Sequence, residues 1–227
     1  MSIGRGFFIT GTDTGIGKTW SGCSLLIALR ERGWRVIGMK PVASGCERTP
    51  DGLRNEDALR LQAVSSVWAP YEAINPYAFE PPIAPHIAAR EAGVEIAFDR
   101  IRASAEVLGR QADYLIIEGV GGWRVPLGGD GDVGALAVVL GLPVVLVVGV
   151  RLGCINHAML TAAAIAADGL PLAGWIANLI DPGTERLAEN LQALCTGIAA
   201  PCLGILPFLD QFQPDRLATC LDLDGLC

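Results

Sequence analysis

The chain has 227 residues, 51% of them apolar and 18% charged, with a formal net charge of −7. That length is ample for a continuous core, and the apolar fraction excludes a disordered chain. The acidic balance and the absence of a basic run argue against nucleic acid or an anionic membrane as the main partner, although an acidic protein can still take phosphate at a focused site.

The opening stretch MSIGRGFFIT carries no apolar run long enough for a signal peptide. Residues 7–10 read as a strand, followed by a glycine loop and a helix over 17–32. A second strand follows at 36–39. Residues 46–85 are polar and proline-rich and read as active-site loops with one or two short helices, with helical periodicity over 57–63. Further helices are expected at 85–91 and 99–110. Strands at 114–118, 144–150, 172–178 and 202–206 then alternate with helices at 132–140, 155–167 and 185–198, and the end of the chain, 210–227, is weakly patterned. The eighteen uncharged residues 133–150 reach the length of a membrane span. Gly141-Leu142-Pro143 cuts them in half, so they read as a short helix, a turn and a buried strand. Strands that are apolar throughout and separated by helices point to a mostly parallel sheet covered on both faces, in one α/β domain over 1–227.

Seven cysteines, at 23, 46, 154, 195, 202, 220 and 227, form no C-x-x-C pair and no zinc-like spacing. They read as cytosolic free thiols, mostly buried. Lysine occurs twice, at 18 and 40, against fifteen arginines. Codon bias accounts for such a depletion, but it draws attention to the two positions where a compact ammonium is kept in place of a planar fork.

The strongest signal is Gly11-Thr12-Asp13-Thr14-Gly15-Ile16-Gly17-Lys18-Thr19, between a strand and a helix. Backbone N–H groups of such a loop and of the helix start behind it cradle phosphates. Lys18 would reach the β/γ phosphates and Thr19 would ligate Mg²⁺. Without ligand, Lys18 is expected to face solvent. The strict phosphate-loop (P-loop) pattern wants glycine at position 12; here it is displaced to Gly11. The fold expected is therefore single-domain and P-loop NTPase-like. Such a site needs a carboxylate near the metal at another strand end, and Glu118, before Gly119-Val120-Gly121-Gly122, supplies one. Lys40 follows the second strand and should face the γ-phosphate region, since ligands of open parallel sheets sit beyond the strands' carboxyl ends. Asp57 is the second candidate for Mg²⁺, although sequence alone does not separate it from Glu56. The start of the helix at 153–157 reads equally as a second anion site or as a capped turn. His86 and His157 lack triad-like neighbours and read as structural.

The segments GTDTGIGKT, MKPVASG, LRNEDALRLQ, INPYAF, APHIAA, IIEGVGGW, PVVLVVGVRLGCINHAMLT and LAGWIAN, in this order, resemble the dethiobiotin synthetase family over about residues 7–207. The displaced glycine is the norm there. The resemblance implies an ATP- and Mg²⁺-dependent closure of 7,8-diaminononanoate with CO2 into a cyclic urea, by a cytoplasmic homodimer that uses neither nucleic acid nor membrane. It implies that Thr14, Lys18 and Lys40 are catalytic and that Ser44 binds substrate. Gly15, Ile16, Gly17, Lys18, Thr19, Glu118, Gly119, Val120 and Gly121 would surround the nucleotide, with Asn178, Pro207, Phe208 and Leu209 at its adenine. Thr19, Asp57 and Glu118 would ligate the metal. Gly153, Cys154 and Asn156, from the second subunit, would hold the substrate's distant carboxylate. Gly15 stands where some relatives carry an acidic residue, Leu179 stands where some carry a polar one, and the chain after Leu209 diverges. A partitioning or septum-positioning switch ATPase is the rival reading. Its P-loop carries an extra lysine five residues before the P-loop lysine, where this chain has Asp13.

Overall fold

The computed structural model describes residues 3–226. The chain runs β1 (Gly6–Gly11), α1 (Lys18–Glu31), β2 (Val36–Met39), β3 (Val42–Ser44), β4 (Glu47–Thr49), β5 (Gly52–Arg54), α2 (Glu56–Val64) and α3 (Tyr71–Ile74). It continues through β6 (Tyr77–Phe79), α4 (Pro85–Glu91), α5 (Phe98–Gly109), β7 (Tyr114–Glu118), β8 (Pro126–Gly128), β9 (Gly131–Asp132) and α6 (Val133–Leu140). The last elements are β10 (Val144–Val150), α7 (Cys154–Ala167), β11 (Leu172–Leu179), α8 (Leu187–Gly197), β12 (Cys202–Leu206) and α9 (Pro214–Ala218).

Six strands form one sheet in the order β12-β11-β10-β1-β7-β2, and every pairing in it is parallel. Its central strands are buried at every position, as expected of apolar runs covered on both faces. Side chains alternate across the sheet. Phe8, Ile37, Met39, Leu115 and Ile117 pack with α5 and α6 on one side, while Phe7, Ile9, Val36, Ile116 and Val147 pack with α1 and α9 on the other. Leu146, Val148, Trp175 and Ala177 form a third cluster with α7 and α8.

The chain order reverses around β1, which opens a crevice at the carboxyl ends of the strands. Gly11, Glu118, Leu179 and Leu206 end their strands there, and Lys40 follows Met39 at the same edge. Two helices begin at this edge on left-handed glycines without a side-chain cap, α1 at Gly17 and α7 at Gly153. By contrast, α2 and α6 are capped by Asn55 and Asp132, whose side chains accept from Ala58 N (3.2 Å) and Ala135 N (2.8 Å).

The six sheet strands fall where the apolar runs place them. Residues 46–85 hold more order than expected: β3 pairs with β6 in parallel and β4 with β5 in a hairpin. In the weakly patterned end, α9 forms and packs on α1. The run 133–150 breaks at Gly141 into α6 and β10, and no described helix is long and apolar enough to cross a membrane. The thiols depart from the expectation of burial. Cys23, Cys46 and Cys154 are buried, but Cys195 is exposed and Cys202 and Cys220 are half-buried. Cys202 lies on β12, the edge strand of the sheet, where less covers it, and Cys220 follows α9. Cys227 lies outside the described residues.

The seating of α2 depends on Gly38. A Cβ there would lie 2.9 Å from Leu61 Cβ and 3.0 Å from Leu26 Cδ1, between α2 and α1. Gly38→Ala is therefore expected to lower stability by about 1–3 kcal/mol, the usual cost of overpacking, read as a lower urea midpoint; an unchanged midpoint would show that the two helices are not packed this closely.

Candidate active site

A cavity of about 760 Å³ lies along the carboxyl edge of the sheet, within the size range of small-molecule sites. The sequence-predicted Thr14, Gly15, Gly17, Lys18, Thr19, Lys40, Ser44, Asp57, Glu118, Val120, Gly121, Asn178, Pro207, Phe208 and Leu209 line it, whereas Ile16, whose side chain is buried in the core, and Gly119, whose carbonyl turns to Lys40, do not.

The P-loop wraps the start of α1. Lys18 does not face solvent: it is buried, and its ammonium donates to the loop's own Asp13 carbonyl at 2.7 Å. Burial and the neighbouring Lys40 lower its pKa to about 8, against the opposing pull of Glu118 and Asp57. A cation so placed gains from any anion that enters. Gly17 is required twice over. Its φ is 85°, and a Cβ would stand 2.1 Å from Asn178 Nδ2. That amide donates to Ile16 O at 2.8 Å, joining the loop to the end of β11. The Asp13 carboxylate accepts from Thr14 N (2.8 Å) and pairs with Arg151 (2.7 Å).

Register sets the second half of the site. Met39 lies opposite Ile117 in the β2–β7 pair, so Lys40 and Glu118 leave the sheet side by side. Lys40 Nζ is 2.5 Å from Glu118 Oε1, 3.1 Å from Asp57 Oδ2 and 3.3 Å from Gly119 O. Burial disfavours the Lys40 ammonium, but Glu118 and Asp57 outweigh it and hold its pKa above the ordinary lysine value. At Glu118 burial dominates and raises the pKa despite Lys40. At Asp57 burial is outweighed by Lys40 and the Thr19 hydroxyl, which keep it low.

Thr19 Oγ1 donates to Glu118 Oε1 at 3.0 Å. Glu118 Oε2 and Ser44 Oγ are buried with no hydrogen-bond partner among the described residues. An orphaned carboxylate oxygen beside a hydroxyl and a second carboxylate is an all-oxygen donor set, which suits a hard dication. No cluster of three His, Cys, Asp or Glu occurs among the described residues, so such a cation would draw further ligands from hydroxyls, nucleotide or water. Of the two acidic candidates, Glu56 is exposed and pairs with Arg60, while Asp57 lines the cavity and reaches Lys40.

Behind Lys40, Asn75 donates to its carbonyl (2.6 Å) and accepts from Tyr71 Oη, which in turn accepts from Asn55 N. Asn75 lies in the INPYAF segment, which had no role assigned from sequence. Also missed were Trp20, Arg60, Val125 and Ile180 in the cavity wall. The residues of 153–157 do not line this cavity. Asn156 is exposed, and neighbouring Leu152 is 99% exposed. Of the two histidines, His157 is exposed and His86 has a buried Nδ1 without a partner; neither lines the cavity.

A family model described as an AAA domain matches residues 5–216. The ATP-dependent dethiobiotin synthetase BioD of Pseudomonas paraeruginosa is 58% identical over 221 residues, 97% of both chains. Its counterpart from Xanthomonas euvesicatoria pv. vesicatoria is 57% identical over 202 residues, 89% of this chain and 90% of that one. Among solved structures, the MinC:MinD cell division protein complex of Aquifex aeolicus matches with a TM-score of 0.58 at 17% identity, covering 93% of this chain and 86% of that one. A ParA family ATPase from Chlorobium tepidum TLS matches with a TM-score of 0.55 at 14% identity, over 91% and 85%. These structures share the P-loop NTPase fold, and at such identities the likeness extends to the fold alone.

Removing one carboxylate leaves the buried Lys40 with Asp57 as its remaining charged partner. Glu118→Gln is therefore expected to lower stability, but by less than the ~3–5 kcal/mol of a buried charge left with no partner. Asp57→Asn should cost less, because that side chain is 35% exposed. Chemical denaturation of both variants checks this, and a Glu118→Gln protein as stable as the parent would contradict the pairing.

Proposed function

The chain belongs to the dethiobiotin synthetase family, and on that premise we propose that it closes 7,8-diaminononanoate and CO2 into dethiobiotin at the expense of ATP, releasing ADP and phosphate. The whole chain, 1–227, serves as one catalytic domain. One amine of the diamine captures CO2 as a carbamate. A carbamate oxygen attacks the γ-phosphorus of ATP, and ADP departs. The second amine then attacks the carbonyl carbon of the carbamic–phosphoric anhydride, closing the ring as phosphate leaves.

The observation that carries this reading is the pair of buried ammonium groups, Lys18 and Lys40, in the wall of one cavity with the unpartnered Ser44 hydroxyl. Carbamate and γ-phosphate are both anionic, and their approach is unfavourable until fixed cations neutralise it. Lys18 and Thr14 take the phosphates with the backbone of 15–19. Lys40 stands between γ-phosphate and carbamate, and Ser44 meets the diamine. Gly119, Val120 and Gly121 close over the phosphates, while Asn178 and Pro207, Phe208 and Leu209 border the adenine. Thr19, Asp57 and Glu118 are the residues that would hold Mg²⁺. When bound, the ion offsets charge on the phosphoryl oxygens.

The diamine's far carboxylate needs a second anchor. Gly153, Cys154 and Asn156 of a second subunit supply it in this reading, so the working form is a homodimer. Their position outside their own chain's cavity, at the uncapped start of α7, supports this. The compartment is the cytoplasm, in keeping with six unpaired thiols among the described residues.

ADP formation measured with diamine and bicarbonate, and with each omitted, tests the function. Turnover that requires both is expected; turnover indifferent to the diamine would favour a switch ATPase. Lys40→Arg is expected to fail nearly as badly as Lys40→Ala, by about 10²–10³-fold in kcat. Its Nζ lies within 3.3 Å of three oxygens grouped around one compact ammonium, an arrangement that a planar fork does not reproduce. Full activity in Lys40→Arg would mean that only long-range charge matters at that position.

A further inference from the structure

The nucleoside end of the cavity has a wall with little to hold it. Residues 207–212 leave β12 and run to α9, and among the described residues they make no hydrogen bond, backbone or side chain. Yet Pro207, Phe208 and Leu209 line the cavity. A segment that borders a ligand and lacks a hydrogen-bond ladder must be fixed by side-chain packing or remain mobile.

One ring carries much of that packing. Phe212, three residues beyond the wall, is half-buried and does not itself line the cavity. On one side it meets Trp20 of α1 edge-to-face, with ring centroids 5.5 Å apart. On the other, the Arg60 guanidinium of α2 lies 4.5 Å from its centroid. Arg60 is held in turn by Glu56, one helical turn earlier (2.5 Å). Phe212 and Leu209 also rest on the apolar cluster beneath α1. Trp20 begins two residues after Lys18, and Arg60 lies three residues after Asp57. The ring is therefore clamped between the two helices that carry the phosphate end of the site.

We infer that Phe212, clamped between Trp20 and Arg60, is a positioning residue for the nucleoside: it sets the 207–209 wall at a fixed distance from the phosphate cradle. The inference rests on the reading that this wall borders the base. Among the described residues Phe212 makes no hydrogen bond or ion pair with Lys18, Lys40, Asp57 or Glu118, whose polar partners all lie elsewhere. An aromatic pair and a cation–π contact together correspond to about a tenfold effect on affinity.

The experiment compares the full-length protein with Phe212→Ala, Phe212→Tyr and Phe212→Leu. It measures KM for ATP, kcat, and competitive inhibition by inorganic tripolyphosphate, a probe with phosphates and no base. Phe212→Ala is expected to raise KM for ATP about tenfold, with kcat within about twofold and tripolyphosphate inhibition unchanged. Phe212→Tyr, which keeps the ring, should restore the parent KM. Phe212→Leu, which keeps an apolar side chain but no ring, should give a smaller rise of the same kind, and it serves as the test if Phe212→Ala does not fold. Equal losses for ATP and tripolyphosphate, a fall in kcat alone, or an unchanged KM in both Phe212→Ala and Phe212→Leu would overturn the inference. The diamine dependence of the parent's turnover is untouched by any of these results, so the two readings fail separately.

Discussion

The Lys40 ammonium, buried between Glu118 and Asp57, is the constraint on which the rest of the site depends. A charge withdrawn from water requires close partners, and each partner comes from a different element. Parallel register between β2 and β7 delivers Glu118, and α2, seated on Gly38, delivers Asp57. Thr19 joins Glu118 from the start of α1. A slip of one residue between β2 and β7 would turn Glu118 to the other face and strand the lysine. The site is thus specified by sheet register as much as by the identity of its residues.

The charges near the cavity's centre come close to balance. Lys18 and Lys40 oppose Asp57 and Glu118, and Lys18, its pKa lowered to about 8 by burial and by Lys40, is the group with the least compensation. Its one short contact is to the Asp13 carbonyl, a neutral acceptor. A bound polyphosphate would replace that contact with a charged one. On the proposed reading this accounts for a buried lysine without a carboxylate of its own: its partner would arrive with the substrate. Lys40 differs in being paired within the protein, which fixes its position before any ligand enters.

Much of this was legible in the sequence, for identifiable reasons. Apolar runs of four to eight residues located the six sheet strands, and the glycine-rich loop with its lysine located one wall of the cavity. Strands of three residues, such as β4, β5 and β6, carry too little periodicity to be read, so 46–85 reads as loops. The burial of Lys18 leaves no mark in the sequence: the pattern predicts a solvated ammonium, whereas the loop folds its own carbonyl onto it. The choice between Glu56 and Asp57 needed the helix phase, which turns one to solvent and the other to Lys40. Trp20, Arg60 and Phe212 share no local pattern at all. They meet because α9 returns the end of the chain to α1, and contacts between residues so far apart in the chain leave no mark in a spacing.

Two buried cations, beside carboxylates that would hold Mg²⁺, suit the proposed reaction between two anions, and the fate of a single oxygen atom tests that claim most directly. If a carbamate oxygen attacks the γ-phosphorus, that oxygen leaves with the phosphate when the ring closes. With ¹⁸O-labelled CO2, the diamine and unlabelled ATP, in a reaction quenched before the label exchanges with water, mass spectrometry of the released phosphate is expected to show one ¹⁸O per phosphate. Phosphate free of label, formed in step with the cyclic product, would contradict the account.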